Sequence, residues 1–221
     1  MKKMTPLEHA KTPDGKTLSL HEHDGAYYIR INGIELMSTR QHNSEEKLAE
    51  LGCAGLMEKR ESRVLIGGLG FGFTLKAALE HLPADAKVVV AEIMPAVISW
   101  NSNPEFNLSA TAMADPRVQI VLRDVVEVLQ EEPAGFDAIL LDVDNGPTAF
   151  STSGNRRLYN SAGLMIAKAA LRPGGCLAVW SVSGNPAFAK LLARNGFTVD
   201  VQRARARTTS GGLHTLFLAR I

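Results

Sequence analysis

The chain has 221 residues, 45% hydrophobic and 21% charged, enough for one sizeable domain with a small appendage and too apolar for a disordered segment. Twenty-four basic against 23 acidic residues leave a net charge of +1, which excludes a chain-wide electrostatic attraction to nucleic acid or anionic membranes. Cys53 and Cys176 lie far apart and outside any CxxC or Cys/His spacing, so neither a disulfide scaffold nor a structural zinc site is expected.

Polar sequence follows Met1-Lys2-Lys3-Met4, and no run reaches the roughly 18–20 apolar residues of a membrane span. No secretory signal is expected, no membrane partner, and a cytoplasmic location. From Thr17 to Thr39 the sequence alternates and turns. Asp24-Gly25 and Asn32-Gly33 separate strand-like runs, the signal of type I′ hairpins, so this stretch reads as a small antiparallel meander. Asn43 with Glu46 three residues on resembles a capping box, opening a helix toward Lys59 with Leu48, Leu51 and Leu56 inward.

Strands and helices then alternate. Arg63–Ile66 reads as a strand, followed by a glycine loop and a helix with Leu75, Ala78, Leu79 and Leu82 at helical spacing. Lys87–Glu92, Val118–Leu122 and Phe136–Leu141 read as further strands, with helices over Pro95–Asn101 and Val125–Gln130. A helix reaching Leu171, a turn at Arg172-Pro-Gly-Gly175, a strand Cys176–Trp180 and a helix Pro186–Asn195 capped by Gly196 follow. Phe197–Arg205 and Leu213–Ala219 close the chain as consecutive strands. The expected class is α/β: a Rossmann-like, doubly wound, seven-stranded sheet with an antiparallel C-terminal hairpin, after an N-terminal β meander. The expected division is 1–42 for the meander and 43–221 for the ligand-binding domain.

Open α/β sheets bind ligands at the carboxyl ends of their strands. Gly67-Gly68-Leu69-Gly70-Phe71-Gly72 lies at such an end, where missing Cβ atoms admit a ligand to the backbone and a helix N-terminus offers free N–H groups. Glu92, 20 residues after Gly72, ends the next strand, the place of a carboxylate that accepts from two ribose hydroxyls. GxGxxG would need glycine at position 73 or 75, where Phe73 and Leu75 stand, so a dinucleotide fits less well than an adenosine without a pyrophosphate. Asp124, with the backbone N–H of Val125, can receive an adenine, or Asp124 can simply cap the next helix. Asp142 and Asp144 border the point where an activated group would leave a cofactor, or they organise a turn.

In order, Gly67–Gly72, Glu92, Asp115-Pro116-Arg117-Val118, Arg123-Asp124, Phe136-Asp137-Ala138-Ile139, Asp142 and Pro173-Gly174-Gly175 resemble the spermidine synthase family, a branch of the class I S-adenosylmethionine-dependent methyltransferase fold. The resemblance implies Glu92 on the ribose, Asp124 and Val125 on the adenine, and Gly67, Gly68, Gly70 and Gly72 around the methionine-derived portion. It also implies Asp142 as the group that positions or deprotonates an amine, with Asp144 as a second candidate, and a homodimer. Family members that transfer aminopropyl groups carry an aspartate in the glycine loop that selects decarboxylated S-adenosylmethionine, and a tyrosine in the helix after the meander; neither is present here. Ordinary S-adenosylmethionine and methyl transfer are therefore the main expectation. Aminopropyl transfer from the decarboxylated form is the alternative, and a non-catalytic cofactor-binding relative is another. The acceptor is expected to be a small molecule, an amine by resemblance.

Other polar residues receive plainer readings. His21 and His23 share a strand face without a third ligand nearby, so no metal is expected. His42 reads as a surface residue, Trp100 and Trp180 as core or pocket wall, and Tyr159 as a lid residue. Arg203, Arg205 and Arg207 alternate on one strand face without interleaved aromatics, which reads as a solvated face, and nucleic acid is not expected as a partner.

Overall fold

The structure, a computed structural model, describes residues 4–143, 146 and 157–221. Four strands open the chain: β1 (Thr5–Lys11), β2 (Thr17–His23), β3 (Ala26–Ile31) and β4 (Ile34–Ser38), paired in that order as an antiparallel sheet. Asp24, Gly25, Asn32 and Gly33 all have positive φ, between 48° and 81°, as the two type I′ turns require. The meander starts one strand earlier than the sequence suggested. β1 is exposed along nearly its whole length and carries no burial alternation to read.

α1 (Asn43–Gly52) follows, but the capping box does not form. Asn43 turns its Nδ2 to the carbonyl of Arg205 at 2.8 Å, tying the helix start to the far end of the chain, and Glu46 pairs back with His42 at 2.8 Å. His42 also stacks on Phe73, with ring centroids 4.4 Å apart. The helix ends at Gly52, and Leu56 belongs to a separate 3-10 turn, Leu56–Glu58.

Then come β5 (Arg63–Gly67), α2 (Phe73–Glu80), β6 (Lys87–Glu92), α3 (Pro95–Ser102), α4 (Ala110–Met113), β7 (Val118–Leu122), α5 (Val125–Glu131) and β8 (Phe136–Leu141). The described chain closes with α6 (Ser161–Ala170), β9 (Leu171–Ser181), α7 (Pro186–Arg194), β10 (Thr198–Arg205) and β11 (Leu213–Arg220). β9 begins five residues before the expected Cys176. Leu171 pairs with Phe136 and Cys176 with Ala138, so Arg172–Gly175 bulges out within one strand rather than separating two elements.

Among the described residues the second sheet has seven strands in the order β10-β11-β9-β8-β5-β6-β7. β5 to β9 run parallel, and β11 joins β9 antiparallel before β10. This is the expected α/β class. Successive residues of the central strands fill opposite layers: Val64, Ile66, Ala138 and Leu140 pack on one side, Leu65, Ile139 and Leu141 on the other. The first layer also takes Leu18, Leu20 and Ile29 of the meander. The winding reverses at β5, flanked by β6 and β8, which places a topological switch point at the ends of β5 and β8. Among the described residues no helix is long and apolar enough to cross a membrane.

Candidate active site

At the end of β5 the chain turns back into α2, and two glycines make that turn fit. Gly68 has φ +86°, and a Cβ there would stand 2.7 Å from the carbonyl oxygen of Asp142. Gly72 has φ +76°, and a Cβ there would stand 2.5 Å from Cβ of Ser109. A side chain at either position would meet both strain and a clash. The loop is fixed from beneath by buried Asn101, which donates to the carbonyl of Gly70 at 2.7 Å and accepts from Ser109 Oγ at 2.6 Å. Gly67, inside β5, accepts from the backbone N–H of Asp142 at 3.0 Å.

Glu92 is buried at the end of β6. One oxygen accepts from the backbone N–H of Leu69 in the glycine loop at 2.9 Å, the other from that of Met94 at 2.7 Å. These two amides hold the carboxylate at the cleft wall. Asp124 caps α5 by accepting from the N–H of Val126 at 2.8 Å, and its other oxygen pairs with Arg157. It therefore caps a helix and lines the cleft at once.

The cleft measures about 550 Å³, within the range of small-molecule sites, and is lined by Gly68, Gly70, Glu92, Asp124, Val125 and Asp142. Gly67 and Gly72, also expected around the ligand, do not line it: a Cβ on Gly67 would meet Leu141 and Val125, and one on Gly72 would meet Ser109. Its opposite wall is the meander, which contributes Leu18, Ile29, Ile31, Leu36 and Met37. Arg157 is a lining residue the sequence reading missed, as are those of the meander. Asp144 lies outside the described residues. Tyr159, read as a lid, is buried with its ring edge-on to Phe188 at 5.8 Å, and serves the core.

Beyond Asp142 the cleft adjoins an inner chamber of about 40 Å³, little more than a single water's share of liquid volume, walled by Leu36, Met37, Phe71, Phe73 and Trp180. Two carboxyls face it. Asp142 accepts from Thr74 Oγ1 at 2.6 Å, yet burial outweighs that hydrogen bond and pushes its pKa up to about 6. Glu45, on α1, is raised to about 8, first by burial and then by the charge of Asp142, against the hydrogen bond from Ser44. Like-charged groups beside one another in an apolar chamber resist double ionisation, so the pair holds a proton near neutral pH or attracts a cation. Glu45 was invisible to the sequence reading, which took Asn43 to Lys47 as a helix start without functional residues. The acid-rich first turn of α1 was the available signal.

Both shifts are upward, so ionising the pair costs the fold stability. Between the ordinary value of 4.5 and about 8, rising pH weakens the native state through Glu45, and above that the penalty is complete. A Glu45→Gln variant is expected to melt a few degrees above the parent at alkaline pH, with the gap closing as pH falls from about 8 to 4.5. Thermal melts across that range check it, and a gap independent of pH contradicts it.

Residues 42–195 match the family model described as the spermine/spermidine synthase domain. A polyamine aminopropyltransferase of Thermococcus onnurineus is 36% identical over 161 residues, covering 69% of this chain and 56% of that protein. One of Mycobacterium tuberculosis (strain ATCC 25618 / H37Rv) is 32% identical over 119 residues, 52% of this chain and 22% of that longer protein. The chain thus spans about a fifth to a half of these relatives. Among solved structures, a spermidine synthase in complex with the transition state analogue AdoDATO superposes with TM-score 0.76 at 18% identity, covering 98% of this chain and 72% of that one. The spermidine synthase of Thermotoga maritima matches equally well. At that identity the likeness shows the fold.

Proposed function

The chain belongs to the spermine/spermidine synthase family, and from that premise we propose that it transfers an aminopropyl group from decarboxylated S-adenosylmethionine to a small amine. The names of its curated relatives favour this alternative over the methyl transfer that the acid-free glycine loop suggested. The observation that carries it is the Glu45–Asp142 pair beside the glycine loop. Negative charge stands where the loop aspartate of the family is missing, supplied from α1 and the end of β8. It would attract the ammonium end of a decarboxylated donor and repel the carboxylate of the ordinary one.

The cleft suits such a donor in volume, in the bare backbone at Gly68 and in the acceptor at the end of β6. Glu92 would hold the ribose, Asp124 and the N–H of Val125 the adenine, and Gly67 to Gly72 the methionine-derived chain. When bound, the donor supplies a sulfonium-activated carbon whose C–S bond breaks, its electron pair going to sulphur, as the C–N bond forms. The residues contribute position and proton transfer. The apolar walls strip water from the amine, and Asp142, poised near pH 6, takes its proton before attack. Asp144 keeps its place as a second candidate base. The same reading includes a cytoplasmic homodimer and a boundary between residues 42 and 43.

Titration calorimetry with decarboxylated and ordinary S-adenosylmethionine tests the assignment. The decarboxylated form is expected to bind at least tenfold tighter, about 1.4 kcal/mol, and Glu92→Gln to weaken both alike. Preference for the ordinary form would overturn it in favour of methyl transfer.

A further inference from the structure

Glu45 does not end the polar system of the inner chamber. Its Oε2 lies 2.5 Å from the Oγ of Ser44, which is fully buried. That same Oγ lies 2.8 Å from Nδ1 of His214, and Trp180 Nε1 donates to it at 3.0 Å. The partners come from α1, β9 and β11, and Ser44 and His214 are 170 residues apart in the chain. A hydroxyl has one proton to give and two lone pairs to receive with, and the indole N–H can only donate, so it occupies one lone pair permanently.

Two arrangements satisfy the rest. With Glu45 ionised, Ser44 donates to the carboxylate and receives Nδ1–H from His214. With Glu45 protonated, Glu45 donates to Ser44, and Ser44 donates to a bare Nδ1, leaving the ring proton on Nε2. The second converts to the first by short transfers: Glu45 to Ser44 Oγ, Ser44 to Nδ1, and Nε2–H to solvent. One proton leaves Glu45 and one reaches water, with every hydrogen bond kept. Nε2 is placed for that last step: a Cβ on Gly212 would come within 3.3 Å of it, and residues 207–213 are exposed. Trp180 holds the ring edge-on at 4.7 Å.

We propose that Ser44 and His214 form a proton relay that drains the Glu45–Asp142 pair to solvent. Under the aminopropyl-transfer reading, on which the catalytic use of the relay rests, the proton removed from the acceptor ammonium must leave the half-buried carboxyl pair before the next turnover. Neither Ser44 nor His214 touches the reacting atoms; they are positioning residues acting through Glu45. Burial lowers the pKa of His214, which keeps the resting ring neutral and able to pass a proton on. The charges around the path are Asp142 from the end of β8 and Glu46 beside Glu45 on α1, with His42 and Lys76 facing Glu46; Arg203 and Arg205 flank Ala204, the register partner of His214, and so project from the opposite face of the sheet.

The relay is testable without turnover. Long-range ¹H–¹⁵N NMR spectra identify which ring nitrogen of His214 carries the proton. In the parent protein it is expected to move from Nε2 to Nδ1 as pH rises through about 8, where Glu45 ionises. The step should disappear in Glu45→Gln and in Ser44→Ala. A single tautomer at every pH, or the same step in Glu45→Gln, overturns the relay whatever reaction the protein catalyses. In turnover, His214→Ala is expected to lower kcat roughly tenfold with KM little changed, and added imidazole to restore it, but not in Ser44→Ala. A His214→Ala rate equal to the parent's would remove the relay from catalysis. Absence of turnover in the parent would instead overturn the proposed reaction, leaving the NMR result to decide the relay.

Discussion

Replacing Asp142 by asparagine is expected to lower turnover roughly 100- to 10,000-fold, the range for loss of a positioned general base, and to weaken binding of the decarboxylated donor as well, because Asp142 supplies part of the charge that draws its ammonium end. Asparagine keeps an oxygen for Thr74 Oγ1, which now donates to Asp142 at 2.6 Å, so the loop after β8 retains its anchor. The exchange removes the charge of half-buried Asp142, the second cause of the raised pKa of Glu45, which should fall below about 8 while burial still holds it up. Lost activity with unchanged or raised melting temperature is therefore the expected pattern. Single-turnover kinetics and thermal melts on the same preparation check it. Activity within threefold of the parent would remove Asp142 from the role of base.

Asp137→Ala is expected to cost about 3 kcal/mol of stability, the lower end of the range for breaking a buried ion pair. Asp137 is 3% exposed, at the second position of β8, and holds three elements together. Lys59 approaches one oxygen at 2.6 Å, Arg172 donates to the other at 2.8 Å, and the backbone N–H of Arg63 donates to that same oxygen at 2.7 Å. Removing it strands the amide that opens β5 and frees the bulge of β9. Both cations reach solvent and can rehydrate, which keeps the cost from rising higher. In a domain of this size, such a loss lowers the melting temperature on the order of 10 °C. Denaturant titration checks it, and a change below about 1 kcal/mol would mean that the bulge is held by its own turn. Asp137 stood among the residues that carried the family resemblance, and its place in the fold is architectural.

The glycine loop, Glu92, Asp124, Val125 and Asp142 were legible because each sits at the end of a strand whose apolar run announces itself. The strand-to-loop switch then fixes which end faces the ligand. The two type I′ turns were legible for a similar reason, since Asp-Gly and Asn-Gly tolerate positive φ. Asp124 is the helix cap of one reading and also a lining residue of the cleft, because an N-cap and a cleft wall occupy the same position at a helix start. The capping box at Asn43 failed because local spacing competes with distant partners: Arg205 took the side chain of Asn43, and His42 took that of Glu46.

The sequence by itself determined the α/β class, the order of elements and the strand-end residues of the cleft, since periodicity and turn chemistry act over a few residues. Only the tertiary structure decided that the meander forms the opposite wall, that Glu45 joins Asp142, and that Ser44 meets His214. Those contacts depend on which face of α1 settles against the carboxyl ends of β8 and β9. Packing of whole layers selects that face, and no local pattern encodes it.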